Sequence, residues 1–148
     1  MGNVAGIILA AGRSSRMGDR NKLCEVWHGK PLVRHVYDAA VTSRLDTLIV
    51  VTGYQRDRVC SAVPADATTV HNRDFASGMA SSLRSGLSAV KTYRGAMILL
   101  GDMPLITTAK IDAMIELFDP DSLNSIIVAT HHGQPGNPVL IGRGHVDA

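Results

Sequence analysis

The sequence predicts a three-layer α/β/α fold with a mostly parallel sheet, and three observations carry that prediction. Short apolar runs with β-branched character recur along the chain, helical spacings fill the gaps between them, and polar, turn-rich segments follow them. Strands that are apolar at every position belong inside a sheet covered on both faces. Their alternation with helices is the pattern of parallel sheets wound through crossover helices.

Taken in order, VAGIILA at residues 4 to 10 is the first buried strand, and helical spacing runs from Pro31 to Ser43. Proline suits the first turn, where its missing N–H would be unpaired anyway. TLIVVT at 47 to 52 is the second strand, followed by a helix from Gln55 to Val63. A helix from Gly78 to Tyr93, whose start reads as a ligand-facing loop or, alternatively, as an ordinary N-terminus capped by Ser77, leads to AMILL at 96 to 100. Thr107 suits the N-cap of a helix reaching Phe118, because its side-chain oxygen can accept from an orphan N–H. SIIVAT at 125 to 130 is the fourth strand, and the turn-dense Gly133–Pro138 that follows reads as a hairpin-like connection.

With 148 residues, 45% apolar and 19% charged, the chain reads as one domain over residues 1–148. A formal charge of +2 without a long basic run gives no reason to expect nucleic acid or a polybasic membrane contact. Small molecules are the expected partners. Cys24 and Cys60 lack metal-ligand spacing, and no leader is recognisable, so reduced thiols and a cytoplasmic location are expected. Zinc is disfavoured: His131 and His132 alternate across an extended chain, and no Cys or Glu completes a pattern with them and His71.

In open α/β sheets a ligand lies beyond the carboxyl ends of the strands, so the segments after each run matter most. After the first run, Gly12, Ser14, Ser15 and Gly18 let backbone N–H groups approach phosphate oxygens, since glycine lacks an obstructing Cβ. Arg16 adds a guanidinium for forked hydrogen bonds, and Lys22 an ammonium that offsets charge on a leaving pyrophosphate. Taken singly these residues describe a surface turn; clustered behind a buried strand they describe a polyphosphate grip. The glycine spacing fits neither a P-loop nor a dinucleotide-binding turn.

Residues Leu9-Ala10-Ala11-Gly12-Arg13-Ser14-Ser15-Arg16-Met17-Gly18, with Lys22 beyond them, resemble the signature of the MobA-like NTP transferases, on the branch of molybdenum cofactor cytidylyltransferases. Asn72–Leu87 (NRDFASGMASSLRSGL), Gly101–Thr107 (GDMPLIT) and Gly133–Gly142 (GQPGNPVLIG) are similar to later motifs of that branch, so the resemblance covers essentially the whole chain. Two departures stand out. Asp19-Arg20-Asn21 separate Gly18 from Lys22 where two residues are common, and full-length relatives continue into an acidic metal-binding segment that this sequence lacks. The expectation is therefore a domain without the C-terminal part of the family's full length.

The resemblance implies a Rossmann-like nucleotidyltransferase fold. It implies a nucleotide held by Leu9, Ala10, Ala11, Gly12, Ser14, Ser15 and Gly18, with Asn72, Gly78, Ser81 and Ser82 nearby. Arg16, Lys22 and Asp102 are the expected catalytic set. Asp102, after the AMILL strand, is the expected Mg²⁺ ligand, because a carboxylate at a strand's carboxyl end can hold a cation that bridges phosphate oxygens. One carboxylate binds Mg²⁺ weakly, so phosphates or a second acidic ligand must complete the shell. Gly136, Asn137 and Pro138 border the acceptor pocket by resemblance. The implied reaction moves CMP from CTP to a molybdopterin-type cofactor with release of pyrophosphate, with a molybdenum hydroxylase as a candidate partner. A GTP-using cofactor transferase, a sugar-phosphate nucleotidyltransferase and a non-catalytic binding module remain as alternatives.

Overall fold

A computed structural model describes residues 3–12, 21–122, 124–131 and 133–145. The described strands are β1 (Val4–Ala10), β2 (Val26–Trp27), β3 (Lys30–Pro31), β4 (Thr47–Thr52), β5 (Thr68–His71), β6 (Gly95–Leu100), β7 (Ile126–His131) and β8 (Gln134–Gly142). The described helices are α1 (Leu32–Val41), α2 (Arg56–Ala62), α3 (Met79–Ala89) and α4 (Thr108–Leu117). Six strands form one sheet in the order β5-β4-β1-β6-β8-β7. The first four run parallel, and β8 is antiparallel to both β6 and β7. β2 and β3 form a separate antiparallel ribbon ahead of α1.

β1 shows why continuous apolar runs predict this sheet. Every one of its residues is buried, and Ile8 pairs with Val50 of β4 on one side and Leu99 of β6 on the other. Its alternate side chains feed two cores. Val4, Ile8 and Ala10 pack with Val33, Val36 and Ala40 of α1, Val59 of α2, and Ile111 and Met114 of α4. Ala5, Ile7 and Leu9 pack with Leu87 of α3. The sheet is thus covered by α1, α2 and α4 on one face and α3 on the other, giving the predicted three layers.

The structure differs from the sequence reading at three places. TTVH at β5 is an exposed edge strand and carries no apolar run. The segment read as a connection after Gly133 is instead the nine-residue β8. Its prolines are accommodated because pairing with β6 begins only at Val139, opposite Ile98, so Pro135 and Pro138 remove no hydrogen bond from that ladder. Gly133, at φ 78°, makes the turn from β7 into β8. Thirdly, Ser77 does not cap α3: the chain reverses at Gly78, whose φ of 108° suits glycine, and Gly78 takes the cap position. Thr107 does cap α4, its Oγ1 accepting from Lys110 N at 3.2 Å.

Candidate functional site

The carboxyl ends of β1, β4, β5 and β6 meet at one edge of the sheet and are tied to one another there. Gly101 N donates to Leu9 O at 3.1 Å, Tyr54 N to Ala11 O at 3.2 Å, and Asn72 N to Thr52 O at 2.7 Å. Two glycines permit this approach. A Cβ on Gly53 would lie 2.5 Å from Phe75 Cβ and 2.8 Å from Ala11 Cβ. One on Gly101 would lie 3.1 Å from Leu9 O and 3.3 Å from Leu23 Cδ2. Leu9, Ala10 and Ala11 are buried, whereas Gly12 is exposed and a Cβ there would meet nothing within 4 Å. The chain thus passes from the buried end of β1 to an exposed Gly12, where the expected phosphate loop begins. Ser14, Ser15, Arg16 and Gly18 lie outside the described residues.

Lys22 and Asp102, far apart in sequence, stand together. Lys22 Nζ is 3.7 Å from Asp102 Oδ2, and both side chains are about half exposed. Asn21 opens the turn Lys22–Cys24, its buried Oδ1 accepting from Leu23 N at 3.0 Å, and Leu23 anchors the turn in the core. Gly101 lets the end of β6 sit against that same leucine. An open ion pair of this kind contributes little to stability. What it does show is an ammonium and a carboxylate held side by side and open to solvent beside the carboxyl end of β6. Asp102 is a half-exposed carboxylate of the kind that could ligate a divalent ion, and among the described residues no group of three or more His, Cys, Asp or Glu is arranged to hold one. A lone carboxylate oxygen donor is chemically compatible with a hard divalent cation that would take its remaining ligands from water and phosphate.

Asn72, Ser81 and Ser82 are brought together, but toward one another. Asn72 is 4% exposed; its Nδ2 donates to Ser81 Oγ at 2.9 Å and to Ser82 Oγ at 3.0 Å, and its Oδ1 accepts from Asp74 N at 3.0 Å. Ser81 Oγ also contacts the carbonyls of Asp74 and Gly78 at 3.0 and 2.8 Å. This network fixes the start of α3. The groups left to face a ligand are the first N–H groups of the helix, at Met79 and Ala80, which have no intrahelical acceptor.

Gly136, Asn137 and Pro138 line a cleft of about 620 Å³ together with Asp102. The rest of its wall comes from Met103–Ile106, from Lys110, Ala113 and Met114 of α4, and from Ala129 and Thr130 of β7. The residues expected to hold the metal and the acceptor thus share one cavity. Its size falls within the range of small-molecule sites, and most of its lining is apolar. Sequence reading assigned no role to the α4 contribution; the available signal was the spacing of Lys110, Ala113 and Met114, which places all three on one helical face.

The MobA-like NTP transferase domain model matches residues 6–148. The chain belongs to this family. Among its MobA-like relatives, the molybdenum cofactor cytidylyltransferase of Escherichia coli is 30% identical over 142 residues, covering 93% of this chain and 69% of that protein. The bifunctional protein GlmU of Desulfotalea psychrophila is 32% identical over 141 residues, covering 93% of this chain. The chain spans 40% of the length of that GlmU. A solved structure of Rv0371c from Mycobacterium tuberculosis, in complex with manganese, superposes with a TM-score of 0.79 at 25% identity, over 98% of this chain and 73% of that one. No helix among the described residues is long and apolar enough to cross a membrane.

Proposed function

We propose that residues 1–148 form a single cytoplasmic nucleotidyltransferase domain that moves CMP from CTP to the terminal phosphate of a molybdopterin-type cofactor and releases pyrophosphate. The observation that carries this reading is the ion pair of Lys22 with Asp102, a residue that also lines the cleft with Gly136–Pro138. A nucleotidyl transfer needs no protein nucleophile, because the acceptor's own phosphate can attack the α-phosphorus. The protein has to position the two substrates and balance charge. In this reading the loop from Ala10 to Gly18 grips the β- and γ-phosphates with its N–H groups. Arg16 and Lys22 offset the charge that builds on pyrophosphate, Lys22 exchanging its carboxylate partner for phosphate as the nucleotide enters. Asp102 would hold Mg²⁺, which when bound would supply Lewis-acid stabilisation of phosphate charge. Asn72, Ser81 and Ser82 hold the start of α3 against the nucleotide, and Gly78 gives that helix its entry angle.

A second reading is a sugar-phosphate acceptor. The composition of the cleft speaks for the first: Met103, Leu105, Ile106, Met114 and Pro138 suit a flat, weakly hydrated body better than a ring of hydroxyls. The deciding experiment measures pyrophosphate release with Mg²⁺ and molybdopterin, comparing CTP, GTP and ATP. Release with CTP alone is expected. Release with GTP alone would move the assignment to the guanylyltransferase branch, and release only with a sugar phosphate would overturn the acceptor. Lys22→Ala and Asp102→Ala should each lower kcat by about 100-fold or more, the scale of losing one transition-state charge contact, with the unfolding midpoint nearly unchanged. Full turnover in either variant would sink the mechanism.

A further inference from the structure

Lys110 occupies the first turn of α4 and shares its face with Ala113 and Met114, three and four residues further on. All three line the cleft. Apart from Asp102 no other lining side chain carries a charge. The acidic and basic groups therefore belong to different walls: Asp102 to the turn after β6, Lys110 to the helix.

Among the described residues Lys110 has no acidic partner. By contrast Lys22, Lys30, Arg34, Arg56 and Arg94 each lie within 3.9 Å of a carboxylate. An exposed ammonium costs nothing to leave hydrated while the cleft is open to water. Once an apolar body fills the cleft and excludes that water, the same ammonium strongly favours an anion over a neutral group. The cation is thus placed where discrimination is made only by a bound ligand.

We infer that Lys110 is a specificity-determining residue that receives a second anionic group of the acceptor, separate from the phosphate that reacts beside Asp102. The inference rests on the reading of this cleft as the acceptor site. It defines the acceptor class as a flat, apolar body carrying negative charge at two separated positions. A neutral sugar phosphate lacks the second charge.

Two measurements test this. The first uses protein labelled with ¹³C at its methionine methyl groups, since Met103 and Met114 both face the cleft and report on its occupant directly. Met103→Leu and Met114→Leu assign the two signals. Titration with 2-naphthyl phosphate should move both, and Lys110→Ala should raise its Kd about tenfold, the effect of about 1.4 kcal/mol. Lys110→Glu should raise it further, while the Kd of neutral 2-naphthol stays the same in the wild type and Lys110→Ala. Equal Kd values for 2-naphthyl phosphate in wild type and Lys110→Glu would overturn the inference, as would methionine signals that do not move. The second measurement is kinetic: Lys110→Ala should raise KM for molybdopterin several-fold, with KM for CTP and kcat unchanged. A wild type that never turns over molybdopterin would refute the proposed reaction, while the methyl titration still decides the role of Lys110.

Discussion

Replacing Asn72 by Ala separates a strut from a ligand contact. The substitution removes two bonds from Nδ2 to the hydroxyls of Ser81 and Ser82, and it leaves the Asp74 N–H without its acceptor. Each net hydrogen bond contributes about 1 kcal/mol, and a buried donor left unpaired costs somewhat more. Ser81 keeps its contacts with the carbonyls of Asp74 and Gly78, which softens the loss. The expected destabilisation is about 2–3 kcal/mol. With a urea slope of about 2 kcal/mol per molar, the unfolding midpoint should fall by about 1 M at unchanged slope. A double-mutant cycle with Ser82→Ala should return a coupling of about 0.5–1.5 kcal/mol, as expected for side chains in direct contact. Lys22→Ala and Asp102→Ala provide the contrast, losing turnover but not stability. A midpoint shift below about 0.3 M, corresponding to less than 1 kcal/mol, together with a large loss of nucleotide affinity, would show that Asn72 serves the ligand and not the fold.

Two further perturbations follow from local geometry. Gly53→Ala forces a methyl group against Phe75 and Ala11 and should cost about 1–3 kcal/mol in urea unfolding, with a raised KM for nucleotide because Ala11 leads into the phosphate loop; wild-type stability in this variant would show that the strand ends part freely. Asp38 accepts from Lys30 Nζ at 2.6 Å and Arg34 Nε at 2.8 Å. Burial pushes its carboxyl up, but the hydrogen bonds and charges of Lys30 and Arg34 outweigh burial and hold it below the usual range. The folded state then binds this proton more weakly than the unfolded chain, so the stabilisation is complete above the unfolded value of about 3.9 and is lost as pH falls through the folded one. Asp38→Asn should therefore cost somewhat less than about 1 kcal/mol near neutrality, since all three side chains are more than a third exposed, and nothing in strong acid. A cost independent of pH would refute the assignment.

The parts of the fold that were legible in the sequence are those where burial is symmetric. β1, β4 and β6 show as apolar runs because both of their faces are covered; β7 is the exception, an edge strand with Ile126 and Val128 exposed that was legible from its apolar composition alone, and β5 is an exposed edge with two threonines and a histidine in four residues. β8 was hidden by Pro135, Gly136 and Pro138, which signal a turn unless one knows that the β6 ladder starts only at Val139. Lys22 and Asp102 were both named from the sequence, and the fold brings them within 3.7 Å, one in the turn Lys22–Cys24 and the other after β6. The site was not legible at Asn72, Ser81 and Ser82. Their types suit a ligand and a buried network equally well, and only the depth of Asn72 separates the two. Lys110 was invisible for a related reason: in sequence it is one more charged residue on a helix, and its meaning comes from a wall contributed by β7 and β8.

In the six-stranded sheet β8 alone runs against the other strands, and this has an evolutionary consequence. Because β8 runs against β6, it contributes its first residues to the place where β6 contributes its last, and β7 and β8 are consecutive in the chain. On the proposed reading the nucleotide is handled by the parallel half of the molecule and the acceptor by one contiguous hairpin and the helix before it. A short stretch of gene, from α4 through β8, can thus be rewritten to accept a different second substrate while Lys22, Asp102 and the phosphate loop stay as they are. An architecture of this kind lets one transfer chemistry spread across unrelated acceptors by local substitution, without reinvention of the catalytic half.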